Sequence, residues 1–314
     1  MASWFELQAQ LALVPIPDRG NWVTSRVLSE AAKVSQITGR HVIVYASAFL
    51  QKPMVPGIFL SVAGEDINGF MTAVHGADCS KGLLLVIHTP GGSAEAAETI
   101  VDYLRSKFDS IVAAIPTYAM SAGTMIALAS DKLIMGRQSQ LGPTDPQLIL
   151  GNRQFSAHSI TQQFEEAKAE ISKDPTTASA WYPVLQPFGP ALLQEARKAL
   201  AYGDALVKRW LVERMLKGRA DADAVADQIA KHFSGSHHGS HGHRISRDEA
   251  RSQGILVDDL EPNAPLQDAL LSLYHMLTVA FDNGPATKII LGSHGQHWIK
   301  NVNVQLVQQT QATP

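Results

Sequence analysis

A single cysteine, Cys79, stands among the 314 residues, which excludes an intramolecular disulfide and a thiolate metal cage; one small thiol of this kind reads as semi-buried packing. Long apolar runs are also missing. No stretch reaches the ~18 to 20 residues that a membrane helix requires. The amino terminus, with Leu7, Leu11 and Leu13, lacks the basic start and extended apolar core of a secretory signal. Nor is there an excess of one charge: a formal net charge of -3 gives no electrostatic reason to expect nucleic acid or an acidic membrane surface as a partner. No Walker-type phosphate loop is present, so the chain is not expected to unfold substrates by itself. No internal repeat is visible. What remains is the composition of a cytoplasmic enzyme, 45% hydrophobic and 18% charged, long enough for one large or two medium domains.

The pattern along the chain divides it into four zones. Residues 1–40 read as a helical lead-in, with Asn21 or Thr24 as N-caps and Gly39 as the stop. Residues 41–150 alternate strand and helix: Val42 to Tyr45, a helix from Glu65 to Val74 with Phe70, Met71 and Val74 on one face, then strands at Leu83–Ile87, Ile111–Ile115 and Lys132–Met135 with helices between them. Strands and helices in this alternation predict an α/β fold with a mostly parallel sheet. Residues 151–260 turn helical. Leu200, Val207, Leu211 and Met215 recur at helical spacing before Gly218, a second helix spans Ala222 to His232, and a His-rich loop follows. Such a stripe reads as packing surface, against the core or a neighbouring subunit. The proline-rich stretch from Trp181 to Pro190 reads as a loop, and residues 261–314 as a tail.

Chemistry concentrates between Leu83 and Gln147, where two apolar strands each stop at Pro, Gly or Ser and run into a small-residue helix. Turns at the carboxyl ends of parallel strands are where α/β proteins place catalytic groups. Ser121, between Met120 and Ala122 on the second turn, is the candidate nucleophile. Backbone amides of Gly91, Gly92 and Ala122 are the candidate oxyanion donors. The plainer reading of Ser121 is a helix N-cap whose hydroxyl bonds an amide one turn on. Ala119 occupies the first position of a G-x-S-x-G elbow, so that motif is not matched.

Three blocks, His88-Thr-Pro-Gly-Gly92, Tyr118-Ala-Met-Ser-Ala-Gly-Thr-Met-Ile-Ala-Leu-Ala129 and Leu141-Gly-Pro-Thr-Asp-Pro-Gln147, resemble in order and spacing the serine dehydrogenase proteinase family, relatives of the Clp protease subunit and signal peptide peptidase A. The resemblance implies a Clp/crotonase-like β-β-α superhelix, a serine peptidase acting on peptides or proteins without a cofactor, and a homo-oligomer of trimer or hexamer type. It implies a serine, aspartate, histidine order that maps onto Ser121, Asp145 and His241. Around His241 the text is Ser240-His-Gly-His-Arg-Ile-Ser246, which departs from the family string at Gly242 and Arg244. Other bases are therefore weighed: His243, His158, and Lys168 or Lys173 as partners in a serine–lysine dyad. His237 and His238 add to a histidine cluster, but its glycines predict a flexible solvated loop and no metal site. A crotonase-type acyl-CoA hydrolase or isomerase and a non-catalytic assembly module are the alternative functions.

Overall fold

The computed structural model describes residues 3–151, 153–189 and 191–302. Its centre is a seven-stranded sheet in the order His297–Asn301, Ala286–Gly292, His41–Ser47, Leu83–His88, Ile111–Ile115, Lys132–Met135, Val257–Asp259. From His41–Ser47 to Val257–Asp259 neighbouring strands pair parallel, and the two at the other edge pair antiparallel. The sheet is covered on both faces, which is why the strands from Ala286–Gly292 to Ile111–Ile115 are buried at every position and mostly apolar rather than alternating. Ile43, Leu85 and Ala113 face one layer, with the helices Asp66–Val74, Ala94–Arg105, Ala122–Leu128 and Leu192–Glu213. Val42, Val44, Leu84, Val86 and Val112 face the other, with the helices Trp4–Ala12, Arg19–Thr38 and Ala264–Asn283. The fold is the α/β, mostly parallel architecture that the sequence predicts.

Several local expectations change. The second helix starts at Arg19, after Pro15 and Pro17, rather than at Asn21 or Thr24; Thr24 sits inside it and its hydroxyl bonds the Gly20 carbonyl. Gly39 does end it, at φ 67°. Phe70 and Val74 are buried, but Met71 faces outward and is half exposed. Ala178–Leu185 is a short helix that accommodates Pro183, where a loop is predicted; Pro190 lies outside the described residues. The described part of the segment 261–314 is no appendage. It supplies the helix Ala264–Asn283 and the strand Ala286–Gly292, which pairs with His41–Ser47 in the middle of the chain's hydrogen-bonded sheet.

The stripe carried by Leu192–Glu213 finds its partner inside the chain. Leu206, Val207, Trp210 and Leu211 are buried in the same cluster as Met125, Ile126 and Leu128 of the Ser121 helix. The stripe therefore supplies no argument for a subunit contact. Among the described residues, no helix is long and apolar enough to cross a membrane.

Candidate active site

A narrow second ladder, lying beyond the ends of the main strands, gathers the chemistry. Thr89 bridges Ala119 in parallel, Tyr118–Ala119 pairs with Gln140–Leu141 in parallel, and Leu141 bridges Ile245 in antiparallel fashion. Thr124 ties it from beneath: its hydroxyl lies 2.6 Å from the Ala119 carbonyl and 2.9 Å from the Gly142 carbonyl, and it accepts from the Gly142 amide at 2.9 Å.

This ladder sets the geometry of Asp145 and His241. Four residues on from Leu141 is Asp145, and four back from Ile245 is His241, so antiparallel pairing brings the two opposite each other. The His241 Nδ1 and Asp145 Oδ1 atoms are 2.6 Å apart. A carboxylate only accepts, so Nδ1–H is the donor, and in the neutral imidazole Nε2 carries the lone pair. The second Asp145 oxygen accepts from Gln147 Nε2 at 2.6 Å. Asp145 is buried, whereas His241 is about a third open, with side-chain exposures of 9% and 31%. The acid is thereby fixed and the imidazole reachable.

Ser121 precedes the helix Ala122–Leu128 with φ 50° and ψ -117°, and its hydroxyl makes no capping bond. The N-cap reading of this serine is thus set aside. A non-glycine residue in such a conformation costs on the order of 1–3 kcal/mol, and persists only where the surroundings hold it. Gly91 is one of those surroundings. At φ 97°, a Cβ on it would lie 2.6 Å from both the Met120 carbonyl oxygen and Ser121 Cβ. A Cβ on Gly92 would lie 2.3 Å from the Val62 carbonyl oxygen. Both glycines are required by close approach.

The amides divide unequally. Gly91 N–H donates to Thr89 Oγ1 at 3.3 Å, while the Gly92 and Ala122 N–H groups have no hydrogen-bond partner among the described residues. Ser121 Oγ likewise has none, so His241 and Ser121 are not hydrogen-bonded in this state. The other candidate bases face solvent or have other partners. Lys168 and Lys173 are exposed on the helix Ala157–Lys173. His158 has its Nε2 2.7 Å from the Ser234 carbonyl oxygen. His243 lies 3.9 Å from Glu249.

Sequence reasoning missed the polar support behind the glycine turn. Lys288 and Asp66, both fully buried, are 2.8 Å apart; Asp66 also accepts from Tyr45 Oη at 2.8 Å and from the Ala63 amide at 3.0 Å. Ala63 adjoins Val62, which accepts from Ser93 N–H and donates to the Gly91 carbonyl. Burial and the Asp66 charge push the Tyr45 hydroxyl well above its ordinary pKa, so it remains a donor. Lys288 and Asp66 are separated by 222 residues, which hides the pair from any local pattern.

His88, one residue before Thr89, is enclosed by Phe49, Tyr118 and Tyr274, with Nδ1 3.0 Å from Thr117 Oγ1. Burial lowers its pKa to about 3. An unfolded histidine, with a pKa near 6.5, takes up its proton as pH falls while the folded one does not. The contribution is complete above ~6.5 and is lost as pH falls toward 3. His88 should therefore cost the fold about 2 kcal/mol between pH 8 and pH 5. Urea unfolding at the two pH values will show a smaller loss for His88→Gln than for the wild type; equal losses would count against this account.

Comparison with known proteins covers the part of the chain that carries Ser121 and Asp145. Residues 31–184 match the family of ClpP-like SDH-type serine proteinases. Two uncharacterised proteins of Methanocaldococcus jannaschii are similar: one is 39% identical over 119 residues, covering 38% of this chain and 40% of its own length. The other is 29% identical over 217 residues, covering 69% of this chain and 65% of its own length. The chain thus spans less than two thirds of either relative. Among solved structures, an S97A mutant of the 1510-N membrane-bound stomatin-specific protease aligns with a TM-score of 0.39 at 17% identity, over 66% of this chain and 79% of that one.

Proposed function

We propose, from the premise that residues 31–184 are of the ClpP-like SDH-type serine proteinase family, that this chain cleaves peptide bonds through an acyl-enzyme on Ser121. The observation that carries the reading is the Asp145–His241 hydrogen bond at 2.6 Å, formed on the same ladder that presents Ser121. Ser121 Oγ attacks the scissile carbonyl and gives its proton to His241 Nε2. Asp145 holds the imidazole in the tautomer that can accept it. The tetrahedral oxyanion is met by the Gly92 and Ala122 amides; Gly91 shapes the turn, its own amide being taken by Thr89. Collapse returns the proton to the leaving amine, and water then releases the acyl group by the same route in reverse.

For this chemistry Ser121 and His241 must close to hydrogen-bond distance on substrate binding, as catalytic contacts that are long in an empty site commonly do. The part-open position of His241, on a loop with Gly239 and Gly242 beside it, supports such a movement. This acyl-enzyme chemistry needs no cofactor. A homo-oligomer of three-fold or six-fold character rests on the family alone, and mass by light scattering tests it.

A fluorophosphonate probe is the direct test of the function. We expect stoichiometric labelling of the wild-type chain at Ser121, located by peptide mass mapping. An acyl-CoA enzyme using a carboxylate, or a non-catalytic module, would leave the serine unlabelled, and that outcome would end the serine peptidase reading.

A further inference from the structure

The His-rich segment is more ordered than its glycines predict. Ser236–His238 forms a 3-10 turn, Gly239 reverses the chain at φ 68°, and the His243 amide donates to the Ser240 carbonyl at 3.0 Å. This reversal lays the His238 and His243 rings against each other, with centroids 5.0 Å apart and planes inclined by 29°. Glu249, on the helix Arg247–Ser252, points into the same space. Donor atoms of His238, His243 and Glu249 all lie within 4.8 Å of one another. His232 approaches from the helix Ala222–Ser234, its Nε2 3.4 Å from Glu249 Oε1. That buried Nε2 has no hydrogen-bond partner.

We infer that His238, His243 and Glu249 bind a divalent transition-metal ion of the Zn2+ class, with His232 as the fourth side chain within reach. The donor set of imidazoles and one carboxylate suits zinc and its neighbours, not the all-oxygen cages of calcium or magnesium. His238 is already oriented for it. Its Nε2 lies 2.7 Å from the His232 carbonyl oxygen, to which only an N–H can donate, so Nδ1 carries the free lone pair. Ligand imidazoles are commonly fixed in this way, by a carbonyl on the other ring nitrogen. Bonds of about 2.0–2.2 Å place tetrahedral donors roughly 3.3–3.6 Å apart, so the three groups must draw in by ~1 Å. Their partial exposure leaves room for that rotation.

The placement gives the ion a consequence. His238 and His243 bracket the four residues 239–242, and His241 is one of the four. An ion holding both ends closes this loop into a ring and restricts the side chain that meets Asp145. Binding of the ion does not require peptidase activity.

The test uses untagged full-length protein stripped with EDTA and dialysed, titrated with ZnCl2 by calorimetry. One ion per chain, bound at micromolar concentration or tighter, is expected, with a rise in Tm of about 3 °C at 100 µM metal. His238→Ala and Glu249→Gln should each weaken binding about tenfold or more. His241→Ala should keep the wild-type affinity within roughly threefold, which separates this site from the Asp145–His241 pair. Hydrogen exchange of amides 239–242 should slow when zinc is added. Absence of zinc uptake at 100 µM, or uptake that His238→Ala, His243→Ala and Glu249→Gln leave unchanged, overturns the proposal. Circular dichroism of each variant establishes its fold, and His243→Ala and Glu249→Gln, at part-exposed positions, serve where His238→Ala does not fold.

Discussion

Ser121→Ala will lower the rate of peptide cleavage by a factor on the order of 10^6 and remove all fluorophosphonate labelling, the loss typical when the nucleophile of a serine triad is deleted. The reason is chemical, since alanine offers no oxygen to acylate, and the loss should come without collapse of the fold. Alanine keeps the Ser121 backbone in its strained conformation, at φ 50° and ψ -117°, whereas glycine relieves it. Ser121→Gly, equally inactive, should therefore unfold at a higher urea concentration than Ser121→Ala. Cleavage by either variant at more than about a hundredth of the wild-type rate would rule out an acyl-enzyme on this residue.

His241→Ala is expected to cost nearly as much, because base and nucleophile act as a unit, and Asp145→Asn less, on the order of 10^4. The asymmetry follows from the hydrogen bond. Asparagine can offer its N–H to Nδ1 and so favour the tautomer that puts the proton on Nε2, where the serine proton must go. The double variant His241→Ala with Asp145→Asn should be no slower than His241→Ala alone, since an orienting acid has nothing left to orient. Lys168→Ala and Lys173→Ala should be close to wild type, as both side chains are exposed on their helix. Wild-type turnover in His241→Ala, with loss in either lysine variant, would transfer the base to that lysine. Steady-state kinetics on a peptide substrate measure all five.

What could be read from the sequence was what local spacing determines. The two strand-to-helix turns are legible because proline and glycine interrupt apolar runs within a dozen residues, and close approach at Gly91 and Gly92 shows why no other residue would serve there. The Ser121 conformation is not legible, since nothing in Met120, Ser121 and Ala122 distinguishes a strained turn from an ordinary N-cap. His241 could be placed only through a family resemblance. The register from Leu141 and Ile245 that brings it to Asp145 is a pairing across some hundred residues of chain. The last strands escaped for a related reason. Ala286–Gly292 joins the sheet beside His41–Ser47, and a strand paired so far along the chain carries no local mark of its partner. The partner of the Leu192–Glu213 stripe was equally hidden, because amphipathic spacing states that a face is covered and not by what.

The second ladder also orders events in time. Asp145 and His241 are 96 residues apart in the chain, and Ser121 precedes both. At a synthesis rate of about 5–20 residues per second, His241 leaves the ribosome roughly 6–24 s after Ser121. Through that interval the glycine turn and the serine can already have folded onto the early strands, yet the antiparallel bridge to Ile245 has no second half. A chain still in synthesis therefore holds Ser121 without the Asp145–His241 pair. Under the proposed mechanism, the base that would activate Ser121 is the last of the three side chains to be made.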